Sequence, residues 1–538
     1  MEKARSRKTH PIYSTEIVLL AALLCFAIFM RLWMMWDWPV NVDEAGHTNL
    51  ARQVIEGKRT FYEPLAAYQG PVLEYLLIPS ILFFGNNILF LRLVIVIASI
   101  LSMCTLYVLT KNYYNKTTAL LAVLFLSIIP TDIVNSSQVY EDPVVTFLII
   151  LAFYMFQKFS RTKNLKYIYF FSLIAGIALA TSLLIVFLLI ALLATINLNP
   201  LMKYDELRRK LNLKQFLVII SCILIGSFPF TYWNLITNFE TVRFISNNFP
   251  VTFANINLLD AKTNIIHGYS DFISSLRNGI RWIFEIRTNS FSLELIFIAS
   301  LIAFASIPIM IFHKTKKNGQ LRKNMYILSI FTIMLMLKFT LTPSEFMTEG
   351  FVILYPFVAI IIAWPISLLS ELKQPQKNAL ILILIFLVSY HVISFLSKVP
   401  DTIQNWQTHP CLKIGSELSK YVAQKNYSLL IIDTSHYANY FSFYSPLIET
   451  HYLVYKFNII ESFDRYYPST WNESSNIFLN KSAVYIFVTD SCNSDWSRIR
   501  NITYEFTSFL HANNKTLVLE EEVPTEKNES LFKVFRIN

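Results

Sequence analysis

Between residues 16 and 397 the apolar positions fall into runs of about 20 residues separated by short polar links, the length a helix needs to cross ~30 Å of hydrocarbon. Single spans read at 16–36, 88–110, 117–135, 143–157, 215–233, 292–312, 325–341, 351–368 and 378–397. The run 167–196 is long for one crossing and basic on both flanks, so it reads as a hairpin of two short segments turning near Thr181 and Ser182. That brings the total to about eleven. The apolar stretch 71–84 is interrupted by Glu74 and Pro79 and closed by Gly85, Asn86 and Asn87, which reads as a helix lying at the membrane surface.

Beyond residue 398 no run is long enough to span. The segment 399–538 reads as a separate domain, with strand-like stretches at 428–433, 483–489 and 515–519 and a helical stretch at 497–512, a small α/β unit. The expected fold class is therefore an all-α polytopic membrane protein over 1–398, with long outer loops at 37–87 and 234–290, followed by an extracytoplasmic α/β domain over 399–538.

Composition agrees. With 54% apolar or aromatic residues, 15% charged and a mean hydropathy of +0.45, a soluble globular chain is excluded. The net charge of +10 does not indicate nucleic acid, because the basic residues sit in the links between apolar runs. Those links, at 3–8, 111–116, 158–166, 203–214, 314–323 and 373–377, mark the cytoplasmic side, whereas 131–142 and 341–350 contain no Lys or Arg and belong outside. An odd span count then leaves the N-terminus inside and the C-terminal domain outside. That domain carries six glycosylation sequons, at Asn426, Asn472, Asn480, Asn501, Asn514 and Asn528, where roughly two would arise by chance. The expectation is a multi-pass protein of the plasma membrane or endoplasmic reticulum, its tail extracytoplasmic or lumenal. Cys25, Cys104 and Cys222 lie in apolar runs without metal spacing, and only Cys411 and Cys492 are placed to pair.

Ionisable residues within the bilayer are functional pointers, and here Asp132, Arg92, Glu294 and Lys338 all fall near an outer boundary, poor material for a proton relay. Acidic residues gather instead in two outer loops. Asp43 and Glu44 follow the first span and precede an amphipathic pattern at 45–56, so Asp43 reads as the N-cap of that helix. Glu141 and Asp142 precede Pro143, and Asp142 reads as the N-cap of the next span. Both pairs are accounted for by capping alone; converging, they could also bind a polar substrate, hold a metal or take a proton.

Asp43-Glu44 after an N-terminal span, the following ARQVIEGK, the LRLVIVIASI segment and the stretch YEDPVVTFLIILAFYMF together resemble the GT-C membrane glycosyltransferases, in particular the branch of protein O-mannosyltransferases and aminoarabinose transferases. The resemblance covers about 32–156, with a fainter echo at 349–361. It implies a GT-C type fold, a polyprenyl-phosphate-linked sugar as donor, and an acceptor hydroxyl on a protein, glycan or lipid. It also implies inverting hexosyl or pentosyl transfer at the outer or lumenal face. Asp43 matches the catalytic acid of the first loop and Asp142 that of the second, with Glu44 and Glu141 beside them; Glu63 or Glu74 stands for an acid of the surface helix. Departures are Gln69 where some members have histidine, Thr181-Ser182 where many have lysine, and Glu349-Gly350 where arginine is usual. Arg277 and Arg281, an i, i+4 pair, offer replacement contacts to the donor phosphate, as do Lys338 and Arg92. An interfacial helix over 270–286 against lipid headgroups explains the same arginines, and snorkelling explains Lys338. A divalent metal is an optional cofactor, with Glu63 and His267 as its candidate ligands. Two other readings stay open: a lipid-linked-sugar flippase or transporter, and a noncatalytic protein of the same type.

Overall fold

The computed structural model describes residues 12–38, 42–62, 69–198, 212–241 and 351–367, seven strands between 429 and 537, and scattered single positions. The expected spans 292–312, 325–341 and 378–397 lie outside the described residues apart from single positions, as do Cys411, Cys492 and the expected helix 497–512. The chain forms two compact units. One comprises residues 1–36, 66–72 and 92–396, the other 37–65, 73–91 and 397–538.

The first unit is helical. Among the described residues three helices are long and apolar enough to cross a membrane: α1 (Ile12–Asp37), α4 (Ile88–Tyr113) and α7 (Asp142–Thr162). Shorter apolar helices accompany them, α5 (Lys116–Ile128), α8 (Leu165–Leu179), α9 (Ile185–Leu198) and α12 (Tyr355–Ser367). The hairpin anticipated at Thr181 and Ser182 is present as the α8–α9 turn. The expected span 117–135 is instead broken into α5 and the short α6 (Pro130–Asn135). Pro130 lacks an amide N–H and drives the residue before it out of the helical region, and Ile129 is accordingly extended at φ −66° and ψ 115°. A second proline, in the first turn of α11 (Phe228–Ile236), marks the 78° bend from α10 (Leu213–Gly226), so the expected span 215–233 is likewise a broken one.

Small residues and polar ties hold these helices together. A Cβ on Gly176 would run into the backbone of α10, and one on Gly226 into the backbone of α8, so the two helices cross at the backbone contact that glycine permits. At the end expected to be cytoplasmic, the Glu16 carboxylate accepts from Lys111 Nζ at 2.5 Å, Lys116 Nζ at 2.6 Å and the Tyr107 hydroxyl, joining α1 to α4 and α5. Asn115 caps α5 by accepting from the Thr118 amide at 2.8 Å.

The second unit contains α2 (Val42–Ile55), α3 (Val72–Phe84) from residue 73 onward, and a seven-stranded sheet. Helix α3 ends at the Gly85 turn where 71–84 was expected to stop. The strands are β1 (Leu429–Ile432), β2 (Glu449–Val454), β3 (Ile459–Ser462), β4 (Arg465–Thr470), β5 (Val484–Val488), β6 (Leu517–Pro524) and β7 (Ser530–Ile537), in the order β4-β3-β2-β1-β5-β7-β6. Strand β1 is flanked in parallel by β2 and β5, and the other pairings are antiparallel. The expected stretches 428–433, 483–489 and 515–519 correspond to β1, β5 and the start of β6. Strands β2, β3, β4 and β7 were not anticipated: Glu449, His451 and Arg465 break the apolar alternation by which a strand is recognised.

Candidate functional site

The first acidic loop belongs to the second unit. Helix α2 starts at Val42, three residues earlier than expected, so Asp43 is not its N-cap; Asp43 and Glu44 both lie in its first turn. Carboxylates there face the unsatisfied amides and positive dipole end of the helix, which favours this longer start. The pair is split by burial. Asp43 is exposed, whereas Glu44 is completely buried, with the Thr48 hydroxyl donating to its backbone carbonyl at 2.7 Å. One turn beyond Asp43, His47 Nδ1 lies 2.7 Å from Glu74 Oε1 of α3, and both side chains are buried. The Tyr75 hydroxyl donates to the Phe61 carbonyl; burial and the neighbouring Glu74 push its pKa up.

The second acidic loop belongs to the first unit. Here the cap is shifted by one residue from the expectation: Glu141 is the N-cap of α7, with Asp142 in the first turn beside Pro143. The Val145 amide bonding the Glu141 carbonyl at 2.9 Å starts the helix one residue earlier. Glu141 makes no side-chain cap bond, so its carboxylate is not spent on the helix end. Gln69 Nε2 donates to its Oε1 at 2.5 Å across 72 residues of sequence. Gln69 itself is fixed by an antiparallel bridge to Ser182 and by the Gly70 amide donating to the Thr181 carbonyl at 3.0 Å. A Cβ at position 70 would run into the Ala180 carbonyl, so only glycine lets this segment lie so close to the α8–α9 turn. Three segments far apart in sequence thus meet: 69–71, the start of α7, and the turn at 180–182.

The same unit holds a buried polar network of which the sequence reading had singled out only Asp132. Arg31, fully buried in α1, pairs with Asp132 of α6, and its Nε donates to Ser99 Oγ of α4 at 2.9 Å. Ser137 Oγ donates to the Arg31 carbonyl at 3.1 Å, and Thr131 Oγ1 donates to the Tyr355 hydroxyl of α12 at 2.8 Å. The signal available was Arg31, a charge in the interior of the 16–36 run, the default mark of function or of a paired neighbour in a membrane helix.

Arg92 is also buried, and its Nη1 donates to the Met35 carbonyl at 2.7 Å, tying α4 to α1. Arg277, Arg281, Lys338, Glu63, His267 and the six sequon asparagines lie outside the described residues. Among the described residues no three His, Cys, Asp or Glu side chains come together as a metal site.

Residues 68–233 match the sequence profile of the dolichyl-phosphate-mannose-protein mannosyltransferase family, under half of the chain but including Gln69, Glu141, Asp142 and Ser182. No curated protein matches significantly in sequence. The structure superposes on ArnT from Cupriavidus metallidurans bound to undecaprenyl phosphate with a TM-score of 0.59 at 12% identity, covering 97% of each chain. For the apo state of the same protein the TM-score is 0.58 at 11% identity, covering 98% of each. An oligosaccharyltransferase from Archaeoglobus fulgidus gives 0.48 at 14% identity over 87% of this chain and 68% of the other. The chain therefore carries, along nearly its whole length, the fold of the GT-C membrane glycosyltransferases that its paired acidic loops resemble.

Proposed function

We propose that this protein is a membrane glycosyltransferase that moves a sugar from a polyprenyl-phosphate-linked donor to an acceptor hydroxyl at the outer or lumenal face. The observation that carries the reading is the full-length likeness to ArnT, whose bound ligand is undecaprenyl phosphate, together with the family profile over the segment that contains the second acidic loop. In this reading Asp43, exposed at the start of α2, is the base. It takes the proton from the acceptor hydroxyl as that oxygen attacks C1; the bond from C1 to the phosphate oxygen breaks, and its electron pair leaves on the polyprenyl phosphate. One displacement inverts the anomeric centre. Asp142 orients the acceptor, and Arg277 and Arg281 stabilise the charge that grows on the departing phosphate.

The test is incubation of the full chain in lipid nanodiscs with a panel of undecaprenyl-phosphate sugars, following release of undecaprenyl phosphate. Release with at least one sugar is expected, and replacing Arg277 and Arg281 together by Gln is expected to weaken donor binding about tenfold or more, because charge-assisted contacts to phosphate are lost. Transbilayer movement of the intact donor in proteoliposomes, without bond cleavage, identifies a flippase instead. The same reading puts the two ends of the chain on opposite sides. Cysteines introduced at Ser6 and Ser530 are expected to label from opposite faces of sealed vesicles; labelling of both from one face sinks that topology.

A further inference from the structure

Helix α7 has 21 residues, about 31 Å at the usual rise per residue, so its two ends stand at opposite boundaries of a bilayer. Glu141 and Asp142 occupy one end. The other carries Lys158, Arg161 and Lys163 and, across the turn into α8, Lys166. No Asp or Glu occurs at 88–131 or at 143–204. Among the described residues none of these four cations pairs with a carboxylate, and Glu16 is taken up by Lys111 and Lys116.

The four cations are arranged, not merely adjacent in sequence. Arg161 Nη1 donates to the Asn112 carbonyl at 2.6 Å and its guanidinium lies 5.5 Å over the Tyr113 ring, which brings the α7–α8 link against the α4–α5 link. The Lys158 amine lies 5.6 Å from the ring centre of Tyr154 and 4.8 Å from that of Tyr167, and Lys166 lies 5.1 Å from Tyr167 on the other side. Tyr154 is one turn deeper in α7. Lys158 is thus laid back toward the hydrocarbon and holds its charge at headgroup depth, where a snorkelling lysine would extend toward water.

Fixing topology requires only that basic residues flank an apolar run, not that they be gathered from two links onto one surface and set against tyrosine rings. We propose that Lys158, Arg161, Lys163 and Lys166 seat the headgroup of an anionic phospholipid in the leaflet opposite to that of the Glu141–Asp142 loop. The depth of Lys158 selects a lipid phosphate over a soluble anion, and the four cations without a carboxylate supply the attraction.

The probes are spin-labelled phosphatidylglycerol and spin-labelled phosphatidylcholine, each a few mole per cent in phosphatidylcholine vesicles that hold the full chain, and the reading is the fraction of label immobilised at the protein. The parent is expected to favour phosphatidylglycerol about tenfold or more, since each basic side chain near an anionic lipid is worth roughly fivefold. Lys163→Asn with Lys166→Gln removes two charges, leaves the Arg161–Asn112 contact in place and suits the left-handed backbone at Lys163, φ 57°. It is expected to cut the preference about fivefold or more while melting temperature and phosphatidylcholine association stay at the parental values. Lys163→Arg with Lys166→Arg keeps the charge and should keep the preference. Millimolar inorganic phosphate or poly-glutamate, added to the parent at constant ionic strength, should leave it unchanged. No preference in the parent, an undiminished preference in the neutral variant, or a loss shared by the arginine variant overturns the proposal. So does displacement of the lipid by phosphate or poly-glutamate, which identifies a soluble anion or an acidic peptide as the ligand instead.

Discussion

Asp43→Asn is expected to lower the rate of sugar transfer by about 10²- to 10⁴-fold, the range that loss of a general base typically produces. The substitution keeps the size of the side chain and removes only the charge and the proton-accepting oxygen. It also removes a negative charge from the first turn of α2, which costs about 0.3–1 kcal/mol of helix stability. That is far too little to account for a hundredfold loss by unfolding, so melting temperature and rate separate the two effects. Glu44 provides the internal comparison. It occupies the same turn but is completely buried, so it cannot meet a substrate as it stands. Glu44→Gln should register more in stability than in the chemical step. Transfer by Asp43→Asn at the parental rate would leave Asp43 as no more than a dipole partner of α2 and the mechanism without its base.

The parts of this architecture legible beforehand are those in which one physical constraint acts over a short stretch. The hairpin turn at Thr181 and Ser182 follows from an apolar run too long for one crossing with basic residues on both flanks, and it stands between α8 and α9. The end of α3 at Gly85 follows from local turn chemistry in the same way. Averaged hydropathy, by contrast, does not register a single proline, so the breaks at Ile129 and Ser227 passed as continuous spans. Cap assignments slipped by one residue at Asp142 and by more at Asp43. An acidic residue is equally at home at the cap and in the first turn, and only the backbone decides between them. Long-range pairings were out of reach altogether. Nothing near Gln69 announces Glu141, 72 positions away, although Gly70 does announce that some backbone must lie close. The outer strands of the sheet were hidden for a related reason, because β4 holds arginine, proline and threonine in places that only its pairing with β3 makes extended.

Asp132→Asn is expected to destabilise the protein by about 3 kcal/mol or more, since it strands the fully buried Arg31 guanidinium without its counter-charge. The pair itself need not contribute that much net stability, because burying both ions costs desolvation as well. Replacing both residues, with Arg31→Met and Asp132→Leu, should therefore recover most of the loss, and a double-mutant cycle read by thermal unfolding in detergent measures the coupling. Transfer activity should separate from stability in the double variant. Asp132 and Thr131 sit on α6, which joins α5 to the loop bearing Glu141 and Asp142, and Thr131 reaches the Tyr355 hydroxyl of α12. Arg31 ties α6 to α1 and α4 just before that loop in the chain. Without the pair, hydrophobic packing can still fold the helices but no longer fixes α6 to the same fraction of an ångström, and a misplacement of about 1 Å at a reacting group can cost 10²-fold in rate. A double variant that regains both its melting temperature and its full activity would make the ion pair dispensable; one that regains only the first would assign it to holding the second acidic loop in register.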